Sequence, residues 1–266
     1  MAKVESRFLV AHSPDGVRAV WVRFTSRHSR SGVISEAWCM AWDSERYVHT
    51  QWSAPWAGQW SAKQGETQFA LTLAPSLAEF ALLPGPRVLG RWPKQRQRTP
   101  VPNGLVNGSI RTELGAWSIE GWLGSAGHNT GEHWSNDYVW VQAPFAGGWF
   151  EMASSRLHFG PLRTPRLTLA GLHIEGQTYR FQSLRQPRVH LTAQALTMVA
   201  DNGDGELFAK VFGRAFVALD YIQPNGGSAK VRNDSHADLE LRWAPRRGPA
   251  REIVVAGGAA LEFGGP

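Results

Sequence analysis

From Gly124 to Gln142 the chain reads Gly-Ser-Ala-Gly-His-Asn-Thr-Gly-Glu-His-Trp-Ser-Asn-Asp-Tyr-Val-Trp-Val-Gln. No other stretch crowds together so many side chains capable of chemistry. His128, Asn129, Glu132, His133 and Asp137 supply acids, bases and an amide, while Trp134, Tyr138 and Trp140 supply aromatic faces. These types suit proton transfer, in which a carboxyl or imidazole within hydrogen-bond reach gives or takes a proton in the transition state. They suit a metal less well. His128 and His133 stand five positions apart and the helix-borne His-Glu-x-x-His pattern is absent, so no metal site is expected. The other reading of this stretch is structural: its polar groups satisfy the backbone of a buried turn, the ordinary task of an asparagine such as Asn129.

A second candidate lies in the segment from Ile34 to Trp42. Strand alternation puts Ile34, Glu36, Trp38, Met40 and Trp42 on one face. A glutamate among such neighbours is poorly solvated, which raises its pKa and keeps a proton available to a general acid. The alternative is a glutamate paired with an arginine of the neighbouring strand, Arg18 or Arg23. Farther along, Tyr138, Trp140 and Gln142 share a face by the same alternation. An aromatic wall with one polar group is the usual lining of a small-molecule site.

The elements that must position these groups are strands. Short alternating runs are punctuated by Gly, Pro, Asn and Asp, and few segments have a helical period. Strands are expected over 17–24, 34–42, 47–52, 68–73, 109–113, 116–122, 138–142, 149–154, 167–169, 172–174 and 179–181. One long strand is expected over 189–200, further strands within 206–221, then strands over 237–243 and 252–256. The stretch 93–102 reads as a crossing loop, and the His128 stretch as a loop feeding the strand that begins at Tyr138. Turns are expected at Glu175-Gly176, at 201–205 and at Pro224-Asn225-Gly226-Gly227. So many short strands at this spacing argue an all-β sandwich or barrel.

Gly127-His128-Asn129-Thr130-Gly131-Glu132-His133, followed by an aromatic strand, resembles a motif written Gly-His-Asn-Trp-Gly-x-x-His. That motif belongs to the carotenoid 1,2-hydratase (hydroxyneurosporene synthase) superfamily and its lipocalin-like relatives, with tocopherol cyclases a more distant comparison. Thr130 stands where that motif has tryptophan, and His133 comes one residue early. Asp220-Tyr221, the Pro224 turn and the segment 233–241 extend the resemblance over most of the chain. The resemblance implies two lipocalin-like antiparallel β-barrel or sandwich domains, residues 1–124 and 125–266, with the motif near their junction.

Composition bounds the partners. The chain has 266 residues, a net charge of +6 and thirteen tryptophans. Its densest basic run, 91–98, is embedded in no nucleic-acid motif and reads as a solvated surface, so no nucleic-acid partner is expected; transient membrane-surface contact is the second reading. Cys39 is the sole cysteine and sits in an apolar strand, which excludes an internal disulfide. No signal-peptide core and no membrane-length apolar run is present, so a cytoplasmic protein is the default expectation. Hydrolase, kinase and dehydrogenase fingerprints are absent.

The expected function is a cofactor-independent enzyme that binds a large hydrophobic isoprenoid or polyene and adds water to, or cyclises, a C=C bond under acid catalysis. Glu36 or Asp137 would be the acid, with His128 and Asn129 orienting or relaying the proton. Trp38, Glu132, His133, Trp134, Tyr138, Trp140 and Gln142 would contact the substrate. The alternatives are a pericyclase acting by confinement and a non-catalytic carrier of a hydrophobic ligand.

Overall fold

A computed structural model describes residues 3–30, 32–82, 95–133, 135, 137–156, 158–159, 162–182 and 187–265. Trp134, and the expected crossing loop as far as Lys94, lie outside the described residues. Every element is a strand. The first sheet comprises β1 (Lys3–His12), β2 (Arg18–Ser29), β3 (Gly32–Asp43), β4 (Arg46–Ser53), β5 (Trp60–Gln64), β6 (Thr67–Pro75), β7 (Gln95–Thr112) and β8 (Gly115–Gly131). Its order is β4-β3-β2-β1-β8-β7-β6-β5, antiparallel throughout. A small hairpin, β11 (His158–Phe159) with β12 (Leu162–Arg163), stands apart from the large sheets.

The second sheet holds β9 (Tyr138–Phe145), β10 (Gly148–Ser155), β13 (Leu167–Ile174), β14 (Gln177–Phe181), β15 (Arg188–Leu191), β16 (Ala195–Asp201), β17 (Gly205–Phe212), β18 (Val217–Ile222), β19 (Ser228–Pro245) and β20 (Arg251–Gly264). Its order is β14-β13-β10-β9-β20-β19-β17-β16-β15, with β18 also paired to β19. The chain thus leaves the first sheet after Gly131 and joins the second at Tyr138, with Gly124 inside β8.

Each sheet curls around its own apolar core, giving two lipocalin-like, barrel-like domains. In the first, Leu9, Val22, Phe24, Cys39, Trp52, Phe69, Ile110 and Trp122 meet inside the curl. It curls round so that the edge strand β4 approaches β6, where Thr50 Oγ1 lies 3.3 Å from Thr67 Oγ1. In the second, Tyr179 at one edge reaches across to Trp243 of β19, with ring centroids 4.5 Å apart. Alternation is the cause. Each strand gives one row of side chains to its barrel and the other row to the outside.

The outer rows of the two sheets face each other. Val4, Phe8, Val10, Ala19, Trp21, Trp38, Met40 and Trp42 of the first sheet pack on Trp140, Val217, Leu219, Tyr221, Val231 and Ala260 of the second. Fully burying each large side chain here contributes about 1.5–3 kcal/mol. Polar pins fix the register of this contact. Trp42 Nε1 donates to Ala215 O at 3.0 Å, Ser125 Oγ to Gln142 Oε1 at 2.6 Å, and Asn103 Nδ2 to Phe145 O at 2.7 Å.

Three expectations need correction. The described part of 93–102 is the start of the long strand β7, carried by register shifts between Arg98 and Gly104. The stretch Gly124–Gly131 is strand, not loop, because β8 stays paired on both sides as far as Gly131. The run 189–200 is two strands folded on each other at Thr192, whose hydroxyl accepts the amides of Gln194 and Ala195. Among the described residues no helix is long and apolar enough to cross a membrane.

Candidate functional site

Within the largely apolar contact between the sheets stand two carboxylates, both on the face of the second sheet that the first sheet covers. Glu262 of β20 pairs with Trp140 of β9 across the ladder. Glu151 of β10 pairs with Gln142 of the same β9 strand. Trp140 therefore stands between the two acids, and its Nε1 lies 3.4 Å from Glu151 Oε1.

Glu262 is 7% exposed and is met by neutral donors. Tyr138 Oη donates to Oε1, while Tyr221 Oη donates to Oε2 at 2.7 Å and Asn233 Nδ2 donates to Oε2 at 3.0 Å. Burial and the adjacent carboxylate lift the Tyr138 phenol well above its ordinary range. Burial does the same to Tyr221, against the opposing pull of Arg23. Both phenols stay protonated and are fixed donors. The Arg23 guanidinium lies 4.0 Å from the Tyr221 ring centroid, and Arg23 Nε donates to Ser6 Oγ at 2.7 Å. Gly264 makes room for this arrangement: a Cβ there would meet the Tyr138 ring at 2.0 Å.

Glu151 is 1% exposed and bridges the sheets. Gln97 Nε2 of β7 donates to it at 2.8 Å, and Thr99 Oγ1 lies 2.7 and 3.0 Å from its two oxygens. Burial pushes its carboxyl up to about 7, although hydrogen bonds from Thr99, Trp140, Gln97 and Gln142 oppose the rise. Among the described residues no cation relieves the desolvation, so the group exchanges its proton near neutral pH.

The residues anticipated from the sequence divide. Tyr138, Trp140 and Gln142 share the face predicted for them and lie in the carboxylate network. Trp38 is buried on the opposing sheet, its ring 5.7 Å from that of Tyr221. Glu36 is on the same face as Trp38 but near its rim, where it accepts from Arg27 Nη1 at 2.8 Å. It is an ion-paired carboxylate, the alternative weighed above, with Arg27 in place of Arg18 or Arg23. Asp137 is likewise paired, with Arg166 and, at 3.8 Å, with Arg156.

His128 is turned to the other face of the first sheet. Its Nε2 lies 2.9 Å from Glu5 Oε1, which also meets Arg7 Nη2 at 2.6 Å. Burial opposes ionisation of Glu5, but His128, Arg7 and Lys3 together hold its carboxyl below the usual range. Gly127, next to His128, has a packing reason: a Cβ there would meet the Phe8 ring at 2.1 Å. Asn129 is half-buried with its Oδ1 unpartnered, Glu132 is half-buried, and His133 is exposed. Among the described residues no group of three or more His, Cys, Asp or Glu is arranged to hold a metal ion. An open cavity of about 470 Å³, lined by Ser44, Glu45, Gln194, Phe212, Gly213 and Arg214, includes none of the carboxylate-network residues.

Sequence reasoning missed Glu262, Glu151, Arg23, Tyr221 and Asn233 as site residues. For the two glutamates a signal existed. Glu262 stands in Ala-Leu-Glu-Phe, and Glu151 in Trp-Phe-Glu-Met. A lone acid inside an apolar strand needs a buried partner.

No protein-family profile matches the chain, and no curated protein matches it. Solved structures do. A provisionally assigned AttH of Nitrosomonas europaea has a TM-score of 0.57 at 14% identity, over 98% of this chain and 92% of that one. Kievitone hydratase from Nectria haematococca has a TM-score of 0.54 at 9% identity, over 97% of this chain and 88% of that one. The likeness is one of fold. It runs through both barrels, so the paired lipocalin-like architecture of a hydratase is shared from end to end.

Proposed function

We propose that the chain is a hydratase-type enzyme that adds water to a carbon–carbon double bond of an apolar small molecule at the face between the barrels. The observation that carries this reading is the pair of unlike carboxylates flanking Trp140. Glu151, whose carboxyl holds its proton up to about pH 7, is the proton donor. Glu262, held by two phenols and an amide, is the acceptor that orients water and takes its proton. A buried acid that keeps its proton near neutral pH, beside a second carboxylate held by fixed donors, can supply acid and base chemistry at one site. The aromatic faces of Trp140, Trp38 and Tyr138 stabilise positive charge developing on the protonated alkene. The acid role expected for Glu36 or Asp137 passes to Glu151, because each of the first two is held by arginine. The fold shared with a hydratase supports the reading as analogy.

The apolar side chains of this face support an isoprenoid or other polyene, apolar over most of its length, as the substrate class. Turnover in deuterium oxide tests the mechanism. Hydration and acid-initiated cyclisation place solvent deuterium on carbon. A product without label identifies a pericyclic reaction, and ligand recovered unchanged identifies a carrier. The carrier reading draws on the first barrel, whose interior gathers Trp52, Trp117 and Trp122, with Trp56 and Trp60 packed against them.

A further inference from the structure

Buried indole N–H groups almost always find an acceptor, because leaving one unmade costs about 1–3 kcal/mol. At the face between the barrels two do not. Trp21 Nε1 and Trp38 Nε1 have no hydrogen-bond partner among the described residues, and each tryptophan is 2% exposed. The two are not scattered. They flank one guanidinium: Arg23 Cζ lies 5.6 Å from the Trp21 ring centroid and 5.4 Å from that of Trp38. Trp38 and Arg23 are direct ladder partners, and Trp21 precedes Arg23 by one pleat on the same face. Tyr221, which donates to Glu262, covers the guanidinium from the second sheet. Solvent is close by. β4, the edge strand, lies beside Trp38, and His49 on it is exposed with its ring 5.4 Å from the Trp38 ring.

We propose that the N–H groups of Trp21 and Trp38, with Arg23 between them, form an oxygen subsite, and that the substrate carries a hydrogen-bond-accepting oxygen and is not a plain hydrocarbon. The proposal rests on the hydratase reading only for the location of the substrate. The chemistry is complementary. The subsite offers donors and a positive charge, so a carbonyl or phenolic oxygen satisfies it and a methylene does not. A site built to hydrogen-bond an oxygen rejects the analogue lacking it, since its donors then stay unpaired. The same contact fixes the register of the chain, so that one particular double bond reaches Glu151.

The test is calorimetric binding of geranylacetone and of the hydrocarbon in which a methylene replaces its carbonyl. Trp21→Phe and Trp38→Phe each delete one N–H and keep an aromatic ring, and circular dichroism confirms their folding. The unaltered protein is expected to prefer the ketone by on the order of tenfold. Each variant is expected to lose much of that preference while its affinity for the hydrocarbon holds. Equal affinities in the unaltered protein, no binding of either probe, or a preference untouched in both variants overturns the proposal. Ketone selectivity that depends on the indoles, without hydration of any alkene tried, leaves the subsite standing and removes the hydratase reading instead.

Discussion

A polar cluster lies against each face of the first sheet, the outer one contributed mainly by the second sheet, and the two are built on opposite plans. On the inner face, His128, Arg7 and Lys3 gather around Glu5 and hold its carboxyl below the usual range. On the outer face, the facing carboxylates Glu151 and Glu262 are met mainly by neutral donors: Thr99, Gln97, Tyr138, Tyr221 and Asn233. A carboxylate beside arginine gives up its proton for good over the ordinary pH range. Glu151, buried and held by neutral groups, keeps a proton it can lose near neutral pH. The inner cluster is built to hold a charge in place, and the outer one to move a proton.

The sharpest way to break this comparison is to remove the mobile proton. Glu151→Gln preserves shape and hydrogen-bonding capacity but cannot act as an acid. Turnover is expected to fall by a factor on the order of 10² or more, the scale of a positioned acid–base group. Glu262→Gln is expected to do the same while leaving ligand affinity within a few fold. If steady-state rates of both variants match the unaltered protein, the outer cluster is structural.

The second prediction reads the same proton through stability. Burial raises Glu151 from its ordinary value of 4.5 to about 7. Between those values the folded state binds the proton and the unfolded state does not, so stability falls as pH rises through the window. The full effect is on the order of 3 kcal/mol, as an upper bound for a relaxing protein. His12 acts in the opposite sense. Burial and the nearby His236 push it down to about 3 from 6.5, so its share of stability is present above 6.5 and lost as pH falls. The two slopes oppose each other between pH 4.5 and 6.5, and the wild-type curve alone is uninformative. Subtracting it from that of Glu151→Gln isolates the glutamate. The variant is expected to gain relative stability steadily from pH 4.5 to 7, as followed by thermal melting; a pH-independent difference excludes a raised pKa.

What was legible in the sequence bears on why these glutamates were overlooked. Alternation at period two correctly predicted the all-β class, the shared face of Trp38, Met40 and Trp42, and the shared face of Tyr138, Trp140 and Gln142. Pattern reports which side of a strand a residue is on. It does not report what lies against that side. Glu262, Tyr221, Asn233 and Arg23 come from β20, β18, β19 and β2, and only long-range pairing and the packing of sheet on sheet unite them. Local density misled for the same reason. The crowded stretch around His128 continues as β8, whose pleat sends His128 to Glu5 on one side and Gly127 against Phe8 on the other. Neighbours in sequence become strangers across a sheet.

The third prediction sets the inner cluster against the outer one directly. His128→Ala removes a partner of Glu5 that is one-quarter exposed, and Arg7 still holds that carboxylate. A stability loss of about 1 kcal/mol is expected, with activity per folded molecule unchanged. A fall in turnover of 10² with stability intact would move the chemistry into the first barrel and restore the role that the motif suggested.

Glu36 gives the smallest effect and tests the limits of the pattern itself. Its strand face was read correctly, yet the side chain is ion-paired with Arg27 and not enclosed among apolar neighbours. The reason lies in the extent of the covering sheet. Trp38, Met40 and Trp42 are fully covered, whereas Ile34, two residues before Glu36, is 56% exposed. β3 runs past the edge of its partner, and Glu36 sits at the boundary, where a salt bridge to Arg27 is sterically open and partly solvated. Such a pair contributes about 1 kcal/mol or less. Glu36→Gln is therefore expected to shift the melting temperature slightly and leave turnover within about twofold, a difference of about 0.4 kcal/mol in barrier. Arg27→Gln should cost a similar amount, and the double variant little more than either, since the second change removes no further contact. A catalytic Glu36 would instead show a large loss of rate that Arg27→Gln does not share.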